Sequence, residues 1–305
     1  GKMVYTCITF VEKSKSDSIL YQQVSLSNIL SVRKEDYSNI EYSSLDDHRG
    51  WFLSDESVFT NISKLKNAGK PLGEAYKIRN GIATLANDIF IFKPTNEDRL
   101  FYYNDDYRIE KSICRNIIKP NKLKHESEIN GLLEKVIFPY STDFVLIDEK
   151  LFANLYPHAY SYLEMHKTEL LKRDKGECDY PWYAFGRTQA IEDKGKKLLF
   201  PYMAAKPHFV YTDDQDMMIY CGYAIYSDSE FDLKVLKKIL ESSVFDYYMK
   251  KTSKPYSGGF YSYAKNYVKD FGICDLSDEE KDYLFREDDK NIIDEFLCSK
   301  YDINI

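Results

Sequence analysis

The chain has 305 residues, of which 44% are hydrophobic and 30% are charged, and its formal net charge is −7 at pH 7. This length and composition are typical of a folded protein with one large domain or two ordinary ones. The negative charge argues against an indiscriminate nucleic-acid binder, because contacts from lysine and arginine to phosphate supply most non-specific affinity. It does not exclude a binder of specific sequences.

The cysteines and histidines indicate neither a disulfide framework nor a zinc site. The six cysteines and five histidines are scattered and form no CxxC or Cys/His group. We therefore expect reduced thiols and a cytoplasmic protein. No run approaches the ~20 apolar residues that cross a bilayer, and no signal peptide is evident. Because the sequence becomes apolar directly after Gly1-Lys2-Met3, we expect it to be a piece of a longer protein.

The first predicted element is a β-hairpin. Residues 4–11 and 19–25 are rich in β-branched and aromatic residues and are separated by a polar turn. A helix follows, capped by Ser54 or Asp55 and ending near Gly69. Asn80-Gly81 then indicates a turn, and residues 89–92 are predicted to form an apolar strand.

The rest of the chain mixes short strands with helices. Apolar spacing predicts helices over 160–171 and 231–248, and a third helix begins at Ser277, whose acidic first turn complements the helix dipole. Further strands are predicted over 135–138, 144–147, 197–201, 209–212 and 217–226. This order favours an α+β fold with curved, mainly antiparallel β-sheets and inserted and C-terminal helices.

Two segments, 179–189 and 254–266, combine aromatic residues, glycines and cations. In the first, Gly186 frees the backbone for close approach, and Arg187 offers a planar fork of donors that suits phosphate or a guanine edge. Thr188 and Gln189 extend this row of donors and acceptors. Both segments can also be explained as structure, since aromatic clusters usually belong to a core and a Gly-Arg pair often forms a turn with a surface cation.

Motifs of a complete active site are missing. No G-x-G-x-x-G follows a strand, and neither a P-loop nor a G-x-S-x-G elbow is present. Asp143 with Asp148-Glu149-Lys150 could hold Mg²⁺, and Asp213, Asp214 and Asp216 could bind a cation, but solvated turns are the better explanation of both groups. We expect no catalytic residue and no metal site in this chain.

Several segments between about residues 70 and 275 form an ordered series of motifs. Residues 79–91 contain G-I-x-T-x-x-N-D-x-F, beginning at Gly81. The other segments are Ile118-Lys119-Pro120-Asn121, 182–189 (W-Y-x-x-G-R-x-Q), 197–201, and Ser257-Gly258-Gly259 through 271–273. In this order they resemble the TaqI-like C-terminal specificity domain of adenine-specific DNA methyltransferases and fused type II restriction-modification enzymes. That family commonly has Thr-Gly before Asn-Asp, where this chain has Thr84-Leu85-Ala86.

The resemblance implies a DNA target-recognition domain. Residues 1–30 would be a hairpin resembling the end of a methyltransferase catalytic domain, and 31–305 would be the specificity domain. Double-stranded DNA and an upstream methyltransferase domain of the same polypeptide would be its partners. The cofactor, S-adenosylmethionine, would be bound by the parent enzyme and not by this chain. The expected DNA-binding residues are Arg79, Asn80, Thr84, Asn87, Lys119, Lys122, Trp182, Arg187, Thr188, Gln189, Lys254, Ser257, Gly258, Gly259, Tyr261, Tyr263 and Lys265.

Two alternatives remain open from the sequence. One is a metal-dependent nuclease built around Asp143, Asp148 and Lys150. The other is a protein-interaction module in which the aromatic segments bind a polypeptide. Salt dependence separates DNA binding from a largely apolar protein interface, because only the former weakens steeply as salt is added.

Overall fold

The structure, a computed structural model, describes residues 7–24, 26–45, 51–104 and 107–305. The strands are β1 (Ser18–Tyr21), β2 (Ser38–Glu41), β3 (Gly69–Pro71), β4 (Lys77–Asn80), β5 (Ile91–Phe92), β6 (Asn96–Glu97), β7 (Phe101–Asn104), β8 (Tyr107–Glu110), β9 (Cys114–Ile118), β10 (Glu134–Ile137), β11 (Lys197–Phe200), β12 (Met203–Ala204), β13 (Val210–Thr212), β14 (Met218–Ile219), β15 (Tyr223–Tyr226), β16 (Pro255–Tyr256), β17 (Phe260–Ser262) and β18 (Gly272–Cys274).

The helices are spread along the chain and become long and regular only toward its C-terminal end. The α-helices are α1 (Glu56–Asn67), α2 (Leu72–Ala75), α3 (Asn87–Phe90), α4 (Ile129–Leu132), α5 (Glu149–Leu155), α6 (Pro157–Met165), α7 (Lys167–Leu170), α8 (Glu230–Leu240), α9 (Ser243–Thr252), α10 (Lys265–Val268), α11 (Asp278–Arg286) and α12 (Lys290–Tyr301). Short 3-10 helices lie at Leu26–Ser31, Lys34–Asp36, Tyr42–Ser44, Lys111–Ile113, Pro120–Lys122, Glu126–Glu128 and Arg173–Gly176.

The sheets are small and mainly antiparallel, which confirms the predicted α+β class. The two larger sheets have the orders β13-β11-β15-β4 and β14-β9-β10-β5, and in the second sheet β14 is parallel to β9. The smaller sheets have the orders β12-β17-β16, β6-β7-β8, β18-β3 and β1-β2. Since β4 pairs with β15, the segment that leads into Asn80-Gly81 lies against a strand far away in the sequence.

The C-terminal helices pack on the β13-β11-β15-β4 sheet and share one core with it. Ser229 and Ser242 each accept a hydrogen bond from a backbone N–H three residues further on, and each therefore begins a helix. The single helix predicted over 231–248 is for this reason two helices. Val58, Ile62 and Leu65 bury one face of α1 in the same core. The helix predicted to end near Gly69 is confirmed as α1, with Asp55 at its N-cap position but without a side-chain capping hydrogen bond. The helix predicted to begin at Ser277 is confirmed as α11, which also has a capping box.

A second core around β5, β9 and β10 is dominated by aromatic rings. Phe90, Phe138, Tyr140 and Phe185 pack in tilted and edge-to-face pairs, with ring centroids 5.1 to 5.9 Å apart. The aromatic part of segment 179–189 therefore belongs to the protein interior. The exposed residues 187–189 follow directly after this buried part.

Local turns overturn several predicted strands. Only Ile91 and Phe92 of the strand predicted over 89–92 form a strand, β5. Ile89 and Phe90 belong to α3, because the Phe90 amide donates back to the Ala86 carbonyl. Residues 144–147 form no strand, and only an isolated bridge joins Tyr140 to Leu146. The stretch 217–226 divides into β14 and β15 around Cys221, which has a positive φ of 50°.

The strand pairing at the N-terminal end also differs from the predicted hairpin. Residues 7–11 form no strand, and residues 1–6 and 25 lie outside the described residues. The second predicted strand is present as β1, but it pairs with β2. The register joins Ile19 to Ile40, which is the buried position of β2.

Candidate nucleic-acid interface

Residues 81–87, which we call the opening loop, are fixed by hydrogen bonds to residues 219–222. The amides of Gly81 and Ile82 donate to the carbonyls of Gly222 and Ile219. Within the loop, the Thr84 hydroxyl donates to Asn87 Oδ1 at 2.7 Å and accepts from the Ala86 amide at 3.0 Å. Thr84 is fully buried, so its side chain orders the loop and is not available to a ligand.

Residues 186–189, which we call the arginine loop, lie directly against the opening loop. The amides of Gly186 and Arg187 donate to the carbonyls of Thr84 and Ala83, and Ala83 and Arg187 form an antiparallel bridge. A Cβ at position 186 would lie 2.4 Å from Leu85 Cδ1, so only glycine permits this contact. The structure thus brings together two of the segments that the sequence marked independently.

Arg173 is buried next to the two loops and connects the opening loop to the residues that precede the arginine loop. The sequence did not indicate this role. The Arg173 guanidinium is buried and donates to four carbonyls, those of Leu170, Thr84, Ala184 and Trp182, at 2.6 to 2.9 Å. Burial lowers its pKa, while Tyr180 and Cys178 oppose this shift. In the sequence, the surrounding Lys-Arg-Asp-Lys-Gly run is typical of a solvated turn and gives no sign of a buried cation.

Arg187 is half-exposed and is paired with Asp174. Its guanidinium donates to both carboxylate oxygens, at 2.8 and 3.1 Å, and Tyr180 donates a third hydrogen bond to the same carboxylate. The hydrogen bond from Arg187 lowers the pKa of Asp174, and Asp174 raises the pKa of Arg187. A phosphate or a guanine edge would occupy the position that Asp174 now holds.

A second group of predicted residues meets around Tyr202. Asn121, which follows the Ile-Lys-Pro element, accepts a hydrogen bond from the Tyr202 amide at 2.8 Å. The Tyr202 carbonyl accepts from the Tyr263 amide at 2.7 Å, which attaches the hairpin of β16 and β17. At the tip of this hairpin, Gly258 and Gly259 are exposed and both have positive φ, as a tight turn requires.

The cations at this interface differ in their freedom. Lys77 and Arg79 approach Asp193, at 2.5 and 3.7 Å respectively. Within the described part of the chain, by contrast, no carboxylate lies within 4 Å of four other cations of the interface, Lys119, Lys122, Lys254 and Lys265. Lys119 and Lys254 lie over the rings of Tyr220 and Tyr256, but a lysine without a carboxylate partner keeps its charge available to neutralise phosphate.

Three residues that were predicted to contact DNA are buried in the structure. Thr84, Trp182 and Tyr263 are each less than 8% exposed. The Trp182 indole donates to Glu149 at 2.8 Å, and its ring packs against Tyr160. Their roles are structural, because a side chain without exposed surface cannot touch a groove. Tyr261 is half-buried, and the other predicted residues of the interface keep exposed surface.

The carboxylates of the nuclease alternative have structural partners. Asp148 caps α5 by accepting from the amides of Lys150 and Leu151, and Glu149 accepts from Trp182 and Tyr160. Asp214 similarly accepts from the amides of Asp216 and Met217. Across the described residues, no three Asp, Glu, His or Cys side chains are grouped as metal ligands. In the same ranges no helix has the length and apolar character to cross a membrane.

In sequence, the chain is similar to a restriction-modification enzyme. No protein-family model matches it. Over 228 residues it is 27% identical to the type II restriction enzyme and methyltransferase RM.Eco57I of Escherichia coli. The aligned region covers 65% of this chain and 22% of the relative, so the chain spans about a fifth of the relative's length.

In fold, the chain is similar to part of the type IIL restriction-modification enzyme MmeI, whose structure was solved in complex with DNA. The TM-score is 0.51 at 12% identity, over 70% of this chain and 27% of MmeI. The type IIG restriction endonuclease BpuSI gives a TM-score of 0.43 at 11% identity, over 84% of this chain and 32% of that enzyme. The chain is therefore related in sequence to one restriction-modification enzyme and shares its fold with a segment of another.

Proposed function

We propose that this chain is a sequence-specific DNA target-recognition domain of a restriction-modification enzyme or an adenine-specific DNA methyltransferase. The observation that carries the proposal is the convergence of distant segments. Backbone hydrogen bonds join the opening loop to the arginine loop. Separately, Tyr202 is bonded to the Asn121 side chain and to the Tyr263 amide directly after β17. Four lysines without ion-pair partners among the described residues accompany these segments.

In this proposal the lysines position the duplex and the arginine loop reads it. Lysine contacts to phosphate supply affinity and register but carry no sequence information. Arg187 would leave Asp174 for guanine or phosphate, while Thr188, Gln189 and Asn80 offer donors and acceptors to base edges in the major groove. Thr84 and Cys221 hold the Asn87 amide in place, so its orientation is set before DNA arrives.

The chemistry would be carried out by another part of the parent protein. A methyltransferase domain of the same polypeptide, outside these 305 residues, would bind S-adenosylmethionine and methylate the amino group of an adenine rotated out of the duplex. Residues 31–305 would form the specificity domain, and residues 1–30 would join it to the catalytic domain. The relative's greater length leaves room for such a domain, since this chain matches 22% of it.

Salt dependence of DNA binding tests the proposal. The affinity for a 30-base-pair duplex is measured by fluorescence anisotropy between roughly 50 and 200 mM salt, for the wild-type chain and the double variant Lys119→Gln/Lys254→Gln. Each phosphate contact contributes about 0.9 to the magnitude of the slope of log K against log salt. The slope of the double variant should therefore be smaller in magnitude by about 2.

Lys290→Gln serves as the matched control, because Lys290 is an exposed lysine at the start of α12, outside the interface. Its slope should equal that of the wild type. A wild-type chain whose affinity does not respond to salt, or a double variant with an unchanged slope, contradicts the proposal. Cleavage of the duplex that requires a divalent metal and is lost in Asp148→Ala would favour the nuclease alternative.

A further inference from the structure

Three aromatic rings form a continuous stack that runs from the core to the surface of the candidate interface. Phe200 in β11 faces Tyr223 in β15, and their rings are stacked with centroids 5.3 Å apart and planes at 20°. Tyr202, two residues beyond Phe200, stacks on Tyr223 at 6.3 Å and 22°. Phe200 is 1% exposed, whereas Tyr202 is 38% exposed. The stack therefore ends in a ring that is partly exposed at the surface.

The outermost ring is held rigidly. Both backbone polar groups of Tyr202 are hydrogen-bonded, the amide to Asn121 and the carbonyl to Tyr263. Its hydroxyl lies 3.4 Å from the hydroxyl of Tyr256, and this hydrogen bond lowers the pKa of Tyr202 and raises that of Tyr256. A ring that is already fixed loses little conformational entropy when a ligand stacks on it.

The exposed ring lies among residues suited to nucleic acid. Tyr223, the middle ring of the stack, is the register partner of Asn80 at the entry to the opening loop. Lys254 is close enough to Tyr202 to lower its pKa and has no ion-pair partner among the described residues. Met203 and Phe260 are also exposed, at 41% and 43%. These residues provide an apolar surface beside a lysine that has no ion-pair partner among the described residues.

We propose that Tyr202 is a stacking platform for one unpaired nucleobase of the bound DNA. The inference rests on the proposed function and adds the kind of DNA that this surface takes, a duplex with one base out of the stack. Stacking on a protein aromatic ring contributes about 1–3 kcal/mol per base and is tolerant of sequence. A base inside an intact duplex is already stacked on both faces and cannot use the platform.

The test compares three probes of one sequence: a 24-base-pair duplex, the same duplex with a single unpaired adenine, and the single strand. Anisotropy gives their affinities for the wild-type chain and for Tyr202→Phe and Tyr202→Leu. The wild type and Tyr202→Phe should prefer the duplex with the unpaired base. In Tyr202→Leu, which keeps apolar bulk but has no ring face, this preference should fall by about tenfold, because 1.4 kcal/mol corresponds to a factor of ten.

Tyr37→Leu is the matched control, since Tyr37 is 40% exposed but lies outside the stack. It should leave all three affinities unchanged, and thermal melting confirms that each variant is folded. A wild-type chain that binds the paired duplex without any preference for the unpaired base overturns the platform and leaves the proposed function standing. Ring-dependent binding of the single strand alone supports the platform and contradicts duplex recognition. Failure to bind all three probes contradicts both.

Discussion

Under the proposed function, Arg187 would have to exchange Asp174 for DNA. In the free chain its guanidinium spans both oxygens of Asp174, an arrangement with the same geometry as a contact to phosphate. Asp174 itself has a positive φ of 47°, so this carboxylate is presented by an unusual backbone conformation. The ion pair with Asp174 holds the arginine in place, and in the proposed function it would compete with DNA.

Removal of each partner should therefore change DNA binding in opposite directions. Arg187→Ala should weaken binding by about tenfold or more and relax specificity at one position if Arg187 reads guanine; if it contacts only phosphate, all sequences should weaken alike. Asp174→Asn should strengthen DNA binding, because the guanidinium is released from its carboxylate partner. The affinity of this variant should also fall more steeply as salt is added. Anisotropy on the same duplexes measures both. If Asp174→Asn weakens binding instead, Asp174 positions the arginine and does not compete.

Leu85 occupies a backbone conformation that suits glycine. Its φ is 58°, in the left-handed region that costs a non-glycine residue about 1 kcal/mol or more. At this position the family that the sequence resembles commonly has glycine, whereas this chain has Leu85. Leu85 is 44% exposed, so its side chain contributes little burial in return.

We expect Leu85→Gly to be more stable than Leu85→Ala by about 1 kcal/mol in the free energy of unfolding. Both substitutions remove the side chain, but only glycine relieves the positive φ. Urea denaturation of the two variants gives the difference directly. Equal stabilities would mean that the loop relaxes to another conformation when the leucine is removed.

At the scale of elements, the junction between the opening loop and the arginine loop depends on one buried cation. Arg173 donates to the carbonyl of Thr84 in the opening loop and to those of Trp182 and Ala184, directly before the arginine loop. It also donates to Leu170 in α7, and its planar fork allows these bonds at once. Neither loop has regular secondary structure at the point where they meet, so few other bonds hold them together.

Arg173→Leu should lower the free energy of unfolding by about 3 kcal/mol or more, because buried carbonyls lose their donors. Arg173→Lys should be intermediate, since an ammonium has fewer donors and no planar fork. Chemical denaturation measures both, and Arg187→Ala, which removes a half-exposed arginine nearby, is the control. A loss below ~1 kcal/mol in Arg173→Leu would show that water replaces the arginine.

A buried lysine ties β11 to the turn before β14. Lys197 is fully buried, and its ammonium donates to the carbonyls of Asp214, Gln215 and Met217. Burial lowers its pKa from 10.5 to about 8, although Asp214 opposes the shift. Between these two values the unfolded chain binds more protons than the folded one, so this group makes the protein more stable as the pH rises.

The pH dependence of stability should reveal this group when wild type is compared with Lys197→Met. Between pH 7 and 9 the unfolding free energy of the wild type should rise, relative to the variant, by about 1 kcal/mol. Taking the difference between the two proteins removes the contribution of the tyrosines, which ionise at higher pH. A difference that is constant with pH would contradict the lowered pKa.

For the molecule as a whole, the features set by neighbouring residues were predicted better than the features set by contacts between distant residues. The α+β class, α1, the start of α11 at Ser277 and the strands β10, β11 and β13 followed from capping residues and apolar spacing. Many short strands, such as β3, β4 and β6 to β9, were not predicted. The division of 231–248 into two helices followed from Ser242, whose capping role depends on its surroundings. The predicted N-terminal hairpin was wrong in its partner because strand pairing is set by contacts distant in sequence.

The same limit applies to the candidate interface. Its segments were visible in the sequence as motifs, and the structure joins them. Which of their residues face outward was not visible, so Trp182 and Tyr263 were predicted as contacts although they are buried. Arg173 and Tyr202 carry no local signature, because the burial of one and the stacking of the other arise only when strands and loops from different regions meet.

Selection from a pool of duplexes with a randomised core tests the central claim most directly. The wild-type chain and Arg187→Ala each bind the pool, the retained DNA is amplified through several rounds, and the enriched sequences are compared. Sequence-specific recognition predicts one defined motif for the wild type and the same motif, degenerate at one position, for Arg187→Ala. A wild-type pool that remains as random as the input would contradict the account.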